Sequence, residues 1–184
     1  MKFLNYLLTA LLLLQILSCS RQPDADRFSL WDGKHLKEVK SSLKSPASPY
    51  RAAYEKLIAD AGKALKEGPY SVTFKEVVPP GGTKNDYLSM GPYWWPDPSK
   101  PDGLPYIRRD GEVNPESGLD RTQMRNMVEG VRVLSLAWYF TRDRQYAEKA
   151  AELLRVWFVD KETLMNPHLE YGQAIPGRTT GRGI

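Results

Sequence analysis

The sequence predicts an all-α fold built from helical hairpins. Apolar residues recur at helical spacing in three separate segments. No alternating apolar-polar run of comparable strength competes with them. A short polar link, Thr141–Arg144, joins the last two segments as antiparallel neighbours. The 184 residues suffice for one domain or slightly more. With 41% hydrophobic and 26% charged residues, the chain has the balance of a folded soluble protein, not of a disordered or multispan one. The net charge of +4 is spread thinly, without the dense basic clusters of a nucleic-acid binder. One cysteine excludes a disulfide framework and a Cys-based zinc site.

The first element is an address. Lys2 precedes a leucine-rich stretch ending at Leu17, too short and too interrupted by Asn5, Thr9 and Gln15 to span a bilayer well. Ile16-Leu17-Ser18-Cys19 resembles a bacterial lipobox, which implies export to the periplasm or outer membrane with a lipid anchor on Cys19. Membrane contact is expected through that anchor alone. Residues 1–19 are therefore expected to form a lipoprotein-type signal and residues 20–48 a polar, Ser/Pro-punctuated tether with a short helix over Gly33–Leu43. His35, among lysines, is expected to be solvated.

Residues 49–184 hold the domain. Tyr50, Tyr54, Leu57, Ile58, Ala61 and Leu65 form one stripe of a helix over Tyr50–Lys66, which Gly68-Pro69 stops. Tyr70–Val78 suits one short strand or plain extended chain. The next helix runs over Arg121–Phe140, with Asp120 as expected N-cap and Gln123 completing a capping-box pattern. Its core face is expected to carry Met124, Met127, Val128, Val131, Leu134 and Trp138. The last helix, Gln145–Phe158, presents Ala147, Ala150, Ala151, Leu154, Trp157 and Phe158.

Between helices lies the irregular segment 79–118, with eight of the 14 prolines and six of the 14 glycines. Disordered segments are poor in aromatics, yet this one carries Tyr87, Tyr93, Trp94, Trp95 and Tyr106, so it is expected to be an ordered functional loop. Trp94 and Trp95, stiffened by neighbouring prolines, can stack on sugar faces or fill the core beneath their own loop. Arg108, Arg109, Arg178 and Arg182 can bind carboxylates in bidentate fashion. His168 has no obvious orienting carboxylate beyond Glu170 and reads as a structural histidine. Asp97, Asp102 and Asp110 suit turns. No phosphate loop, nucleophile elbow or metal-ligand spacing occurs.

The string from Tyr87 through Gly91-Pro92-Tyr93-Trp94-Trp95-Pro96-Asp97-Pro98 resembles the N-terminal signature of the alginate lyase superfamily. Leu104-Pro105-Tyr106-Ile107-Arg108-Arg109-Asp110-Gly111, Asn114-Pro115-Glu116, the hairpin around Trp138 and Leu154, and Asn166-Pro167-His168-Leu169-Glu170-Tyr171-Gly172-Gln173-Ala174-Ile175-Pro176-Gly177-Arg178 continue the likeness. The resemblance implies an (α/α) toroid of helical hairpins whose cleft binds an acidic polysaccharide and cleaves it by β-elimination without a cofactor or metal. It implies sugar contacts from Trp94, Trp95, Tyr171, Gln173, Arg178 and Arg182, with Tyr171 a candidate near the reacting residue.

Members carry an Asn-Asn-His-like motif on a later helix. Here the histidines are His35 and His168, neither in such a motif. The chain is therefore expected to be the N-terminal portion of a longer lyase, stopping after about three helices without the full catalytic set. Two other readings fit parts of the sequence. Trp138–Trp157 has tetratricopeptide-like spacing, but no second copy recurs at about 34 residues. A non-catalytic glycan-binding lipoprotein would use the same cleft.

Overall fold

Asp32 starts the first helix. Its Oδ1 accepts the backbone N–H groups of Lys34 (2.9 Å) and His35 (3.2 Å), satisfying two orphan donors of α1 (Gly33–Ser42). The computed structural model describes residues 31–181. The expected signal over residues 1–19, with Cys19, and the expected sugar contact Arg182 lie outside the described residues. The chain divides into two units at Arg51/Ala52. In the first, the turn after α1 is closed by the paired hydroxyls of Ser42 and Ser48 (2.9 Å) and by Arg51, which donates to the carbonyls of Leu43 and Ser45. His35 is exposed beside Glu38, as a solvated histidine should be.

The second unit begins within α2 (Arg51–Ala64). Ala61 and Ala64 are buried, with Leu57, Ile58 and Leu65 packed beside them. Gly68, at φ +73°, ends this stretch, and a Cβ there would stand 2.8 Å from Leu153 Cδ2. The left-handed turn favours glycine, and any Cβ there would also have to displace the Leu153 side chain. The long pair α3 (Leu119–Thr141) and α4 (Arg144–Phe158) forms the expected hairpin. Arg142 closes α3 in the left-handed region (φ 60°), with its guanidinium over the Trp138 and Tyr139 rings. Asp143 caps α4 through the Gln145 N–H.

The buried faces depart from expectation. Val128 is half exposed, and so are Leu154 and Phe158. On α4 the core positions are Tyr146, Ala150, Leu153 and Trp157, at offsets 0, 4, 7 and 11. Leu153-Leu154 and Trp157-Phe158 create two adjacent stripes, and periodicity alone does not say which one turns inward. The core gathers these residues with Met127, Leu134, Ala137, Val72 and Tyr87.

The fold is helix-rich but not all-α. Strand β1 (Leu88–Met90) pairs in parallel with β4 (Tyr171–Ala174), and β2 (Trp94–Trp95) pairs antiparallel with β3 (Ile107–Arg108). Strands of two to four residues are too short to show alternation in sequence. Tyr70–Val78 is not one of them. Val72–Phe74 forms a 3₁₀ turn capped by Ser71, whose hydroxyl also donates to the Thr163 carbonyl (2.6 Å).

Asp120 is not the N-cap. Helix α3 begins two residues earlier than expected, at Leu119, Gly118 occupies the cap without a side-chain bond, and Asp120 lies buried in the first turn. Its Oδ2 accepts the Leu88 N–H (2.8 Å) and meets Lys75 Nζ at 2.8 Å. Lys75 Nζ also reaches the carbonyls of Val72, Lys84 and Asp86 at 2.7–2.8 Å, so four acceptors share three protons. Burial pushes the Asp120 carboxyl above its ordinary range, and the Lys75 ammonium and Leu88 amide oppose that push. Lys75→Met leaves this carboxylate without its counter-charge and is expected to cost about 3–5 kcal/mol of unfolding free energy. The double variant Lys75→Met/Asp120→Leu should recover much of the loss, both read by urea denaturation followed by circular dichroism.

Candidate functional site

The β2–β3 ribbon sorts the aromatic loop by face. Trp94 lies opposite Arg108 and Trp95 opposite Ile107. Opposed residues share a face and successive residues alternate, so the two indoles are sent to opposite sides. Trp95 is occupied locally: its Nε1–H donates to the Glu112 carbonyl (2.9 Å), and the Arg109 guanidinium lies 5.3 Å from its ring. Trp94 instead carries the Arg178 guanidinium 5.2 Å from its ring centroid, within cation–π range. Gly91 makes room for it, since a Cβ there would meet Trp94 Cδ1 at 2.6 Å. Asn114 locks the ribbon by donating to the Trp94 carbonyl (2.9 Å).

Arg178 is anchored a second time, its Nε donating to the Tyr106 carbonyl (2.9 Å). Gln173, on β4, adopts φ 55°, and its N–H donates to Ser89 Oγ (3.1 Å). A non-glycine residue held there is strained, a state that clusters at functional sites. Two cavities flank this strand region. The larger, about 860 Å³, is a mostly apolar groove that includes Val77, Met90, Leu104, Tyr106, Ala174 and Arg178. The smaller, about 180 Å³, is lined by Gly91, Pro92, Tyr93, Trp94, Arg108 and Gln173. The charged side chains lining the two, among the described residues, are both arginines: Arg108 and Arg178.

Of the expected sugar contacts, Trp94, Gln173 and Arg178 therefore come together. Trp95 turns away, Tyr171 lines neither cavity, and Arg182 lies outside the described residues. Residues 71–184 match the alginate lyase family. The chain belongs to that family. It also resembles the crystal structure of an alginate lyase from Bacteroides ovatus, with a TM-score of 0.76 and 52% identity. That match covers 83% of this chain and 40% of the Bacteroides ovatus chain, so the present sequence spans well under half of its length. No curated protein matches the chain.

This alginate lyase family chain holds a second polar cluster that sequence reasoning missed. His168 does have a carboxylate partner, and it is not Glu170, which is exposed. Asp86, 82 residues upstream, meets His168 Nε2 at 2.9 Å and accepts from Asn166 Nδ2 at 2.5 Å. Thr83 donates its N–H (2.7 Å) and hydroxyl (3.1 Å) to the other oxygen. His168 Nδ1 is buried and takes no hydrogen bond among the described residues, while Nε2 faces Asp86. Its ring meets Tyr171 edge-on at 6.3 Å. Asp97 and Asp102 fill turn roles, accepting from Ser99 and Leu104, while Asp110 pairs with Arg108.

Burial pushes the Asp86 carboxyl upward, but the Asn166 and Thr83 hydrogen bonds and the His168 charge outweigh it and hold the group below its ordinary range. The unfolded chain then binds a proton that the folded chain does not. The resulting stability is complete above the unfolded carboxylate value of about 3.9 and disappears as pH falls through the lowered folded value. Asp86→Asn is expected to be less stable than wild type at neutral pH. The gap should narrow as pH drops below about 4, measured by urea unfolding across a pH series. A gap independent of pH would contradict the assignment.

Proposed function

We propose that the protein is an exported polysaccharide lyase that cleaves a uronate-containing polysaccharide by β-elimination, and that this chain supplies part of the substrate cleft of an (α/α) toroid. Family membership and the likeness to an alginate lyase support the reaction class. The observation that carries the assignment to this region is Arg178. Its guanidinium is fixed between the Trp94 ring and the Tyr106 carbonyl at the edge of a groove without acidic lining.

β-Elimination at a uronate needs the carboxylate at C6 to be neutralised, because its charge opposes removal of the C5 proton. A base takes that proton, the electron pair forms the C4=C5 bond, and an acid protonates the departing O4. A guanidinium suits the first task, since it stays protonated and matches a carboxylate in fork geometry. Gln173 offers both donor and acceptor to sugar hydroxyls. Tyr171, on the same strand as Gln173, is the candidate phenol for proton transfer. The sequence holds no Asn-Asn-His string, so the base is not assigned to the groove residues.

With the full-length protein and alginate, we expect ultraviolet absorbance from the new C4=C5 double bond. Arg178→Ala should lower kcat/KM by about tenfold to a hundredfold through loss of charge-assisted hydrogen bonds. The 184-residue chain alone is expected to give no unsaturated product, and turnover by it would overturn the view that the catalytic set lies elsewhere.

The proposal includes export and a lipid anchor on Cys19, supported by the leader and its lipobox-like end. Cys19→Ser is expected to abolish incorporation of labelled fatty acid and to move the protein out of the membrane fraction. Unchanged labelling would rule the anchor out.

A further inference from the structure

Strand β4 pairs with β1 through a break in register. Leu88 lies opposite Tyr171 and Met90 opposite Ala174, so a step of two residues on β1 faces a step of three on β4. The extra residue makes a β-bulge, a device that re-aims a side chain and recurs next to active sites. Gln173 sits in this bulge at φ 55°. It lines the small cavity, whereas the next residue, Ala174, lines the large groove.

The bulge holds a free side chain on a fixed backbone. A left-handed residue is least strained as glycine, with asparagine next, and glutamine has the advantage of neither. Among the described residues, the Gln173 carboxamide takes no hydrogen bond that would offset this strain. The backbone is held by Ser89, whose Oγ accepts the Gln173 N–H at 3.1 Å. A bulge takes its extra residue out of the ladder, and here a hydroxyl supplies the acceptor. Ser89 is 3% exposed, so the bond is shielded from water. The same hydroxyl interacts with the buried Tyr87 phenol. A serine has one proton to donate and two lone pairs, so it can serve both neighbours. The flanking residues are fixed as well. Gly172 donates its N–H to the Leu169 carbonyl (2.9 Å), and the Ala174 carbonyl accepts the Gly91 N–H (2.9 Å).

We infer that Ser89 is a positioning residue for the lyase: its hydroxyl holds the β4 bulge in the left-handed conformation that aims the Gln173 carboxamide into the small cavity, where it meets a sugar hydroxyl. Ser89 itself touches no substrate. The inference rests on the polysaccharide reading above and adds to it a residue from β1. Ser89 was absent from the sugar contacts expected from the sequence, because its role depends on a residue 84 positions downstream.

The test is a double-mutant cycle on the full-length protein, following unsaturated product from alginate and other polyuronates by ultraviolet absorbance. Ser89→Ala should raise KM by about threefold to tenfold, the worth of one hydrogen bond. Its kcat should stay near wild type, because a contact made alike in ground and transition states is weakened. Gln173→Gly removes the carboxamide and relaxes the left-handed residue, so it should raise KM while its melting temperature stays near wild type. In the Gln173→Gly background, adding Ser89→Ala should raise KM no further. An equal rise from Ser89→Ala in both backgrounds would show a role independent of Gln173 and overturn the inference. An unchanged KM in Ser89→Ala would do the same, and either result leaves the lyase reading in place. If wild type formed no unsaturated product from any polyuronate, the polysaccharide reading itself would fall.

Discussion

The Lys75 ammonium is the point on which the functional half of this structure depends. One buried charge ties together the 3₁₀ turn at Val72, the carbonyls of Lys84 and Asp86, and the first turn of α3 through Asp120. Asp120 in turn receives the Leu88 N–H and so sets where β1 starts. Strand β1 pairs with β4, and Ser89 on β1 holds the Gln173 amide. A chain of hydrogen bonds therefore runs from the helical core to the residue that lines the small cavity. Ions are costly to bury; three carbonyls replace water around the ammonium, while Asp120 is held through Oδ2 by Lys75 and the Leu88 amide and its Oδ1 takes no hydrogen bond among the described residues.

The same economy of contacts explains why the aromatic loop behaves as scaffold and site together. A two-residue ribbon is marginal by itself. It is supported by Asn114, which bonds the Trp94 carbonyl, and by Trp95, which bonds the Glu112 carbonyl. Trp95 thus serves the loop, leaving Trp94 to support a cation. Adjacent tryptophans look like one feature in a sequence, but a strand's two-residue period assigns them to different environments.

The histidine follows a parallel logic. Asp86 holds His168 and Asn166 onto the segment leading into β4, while the backbone of Asn166 is itself bonded to the Asn85 carbonyl (2.9 Å). These bonds join two stretches about 80 residues apart just before the parallel pairing of β1 with β4. The imidazole, held by Asp86, fastens the strand that presents Gln173.

By itself, the sequence determined the helices, the α3–α4 hairpin and the importance of the string around Trp94, because caps, turns and 3.6-residue periodicity are local properties. The strings that carry the family likeness pointed to Trp94, Gln173 and Arg178, and the fold brings these three residues together. Tertiary structure alone decided that Asp120 leaves its capping role for Lys75, that Leu153 and not Leu154 enters the core, that Asp86 finds His168, and that Arg108 joins Trp94. Each of these depends on a partner distant along the chain or on the register of a ribbon too short to announce itself. Burial and charge pairing are properties of the assembled fold, so no window of sequence contains them.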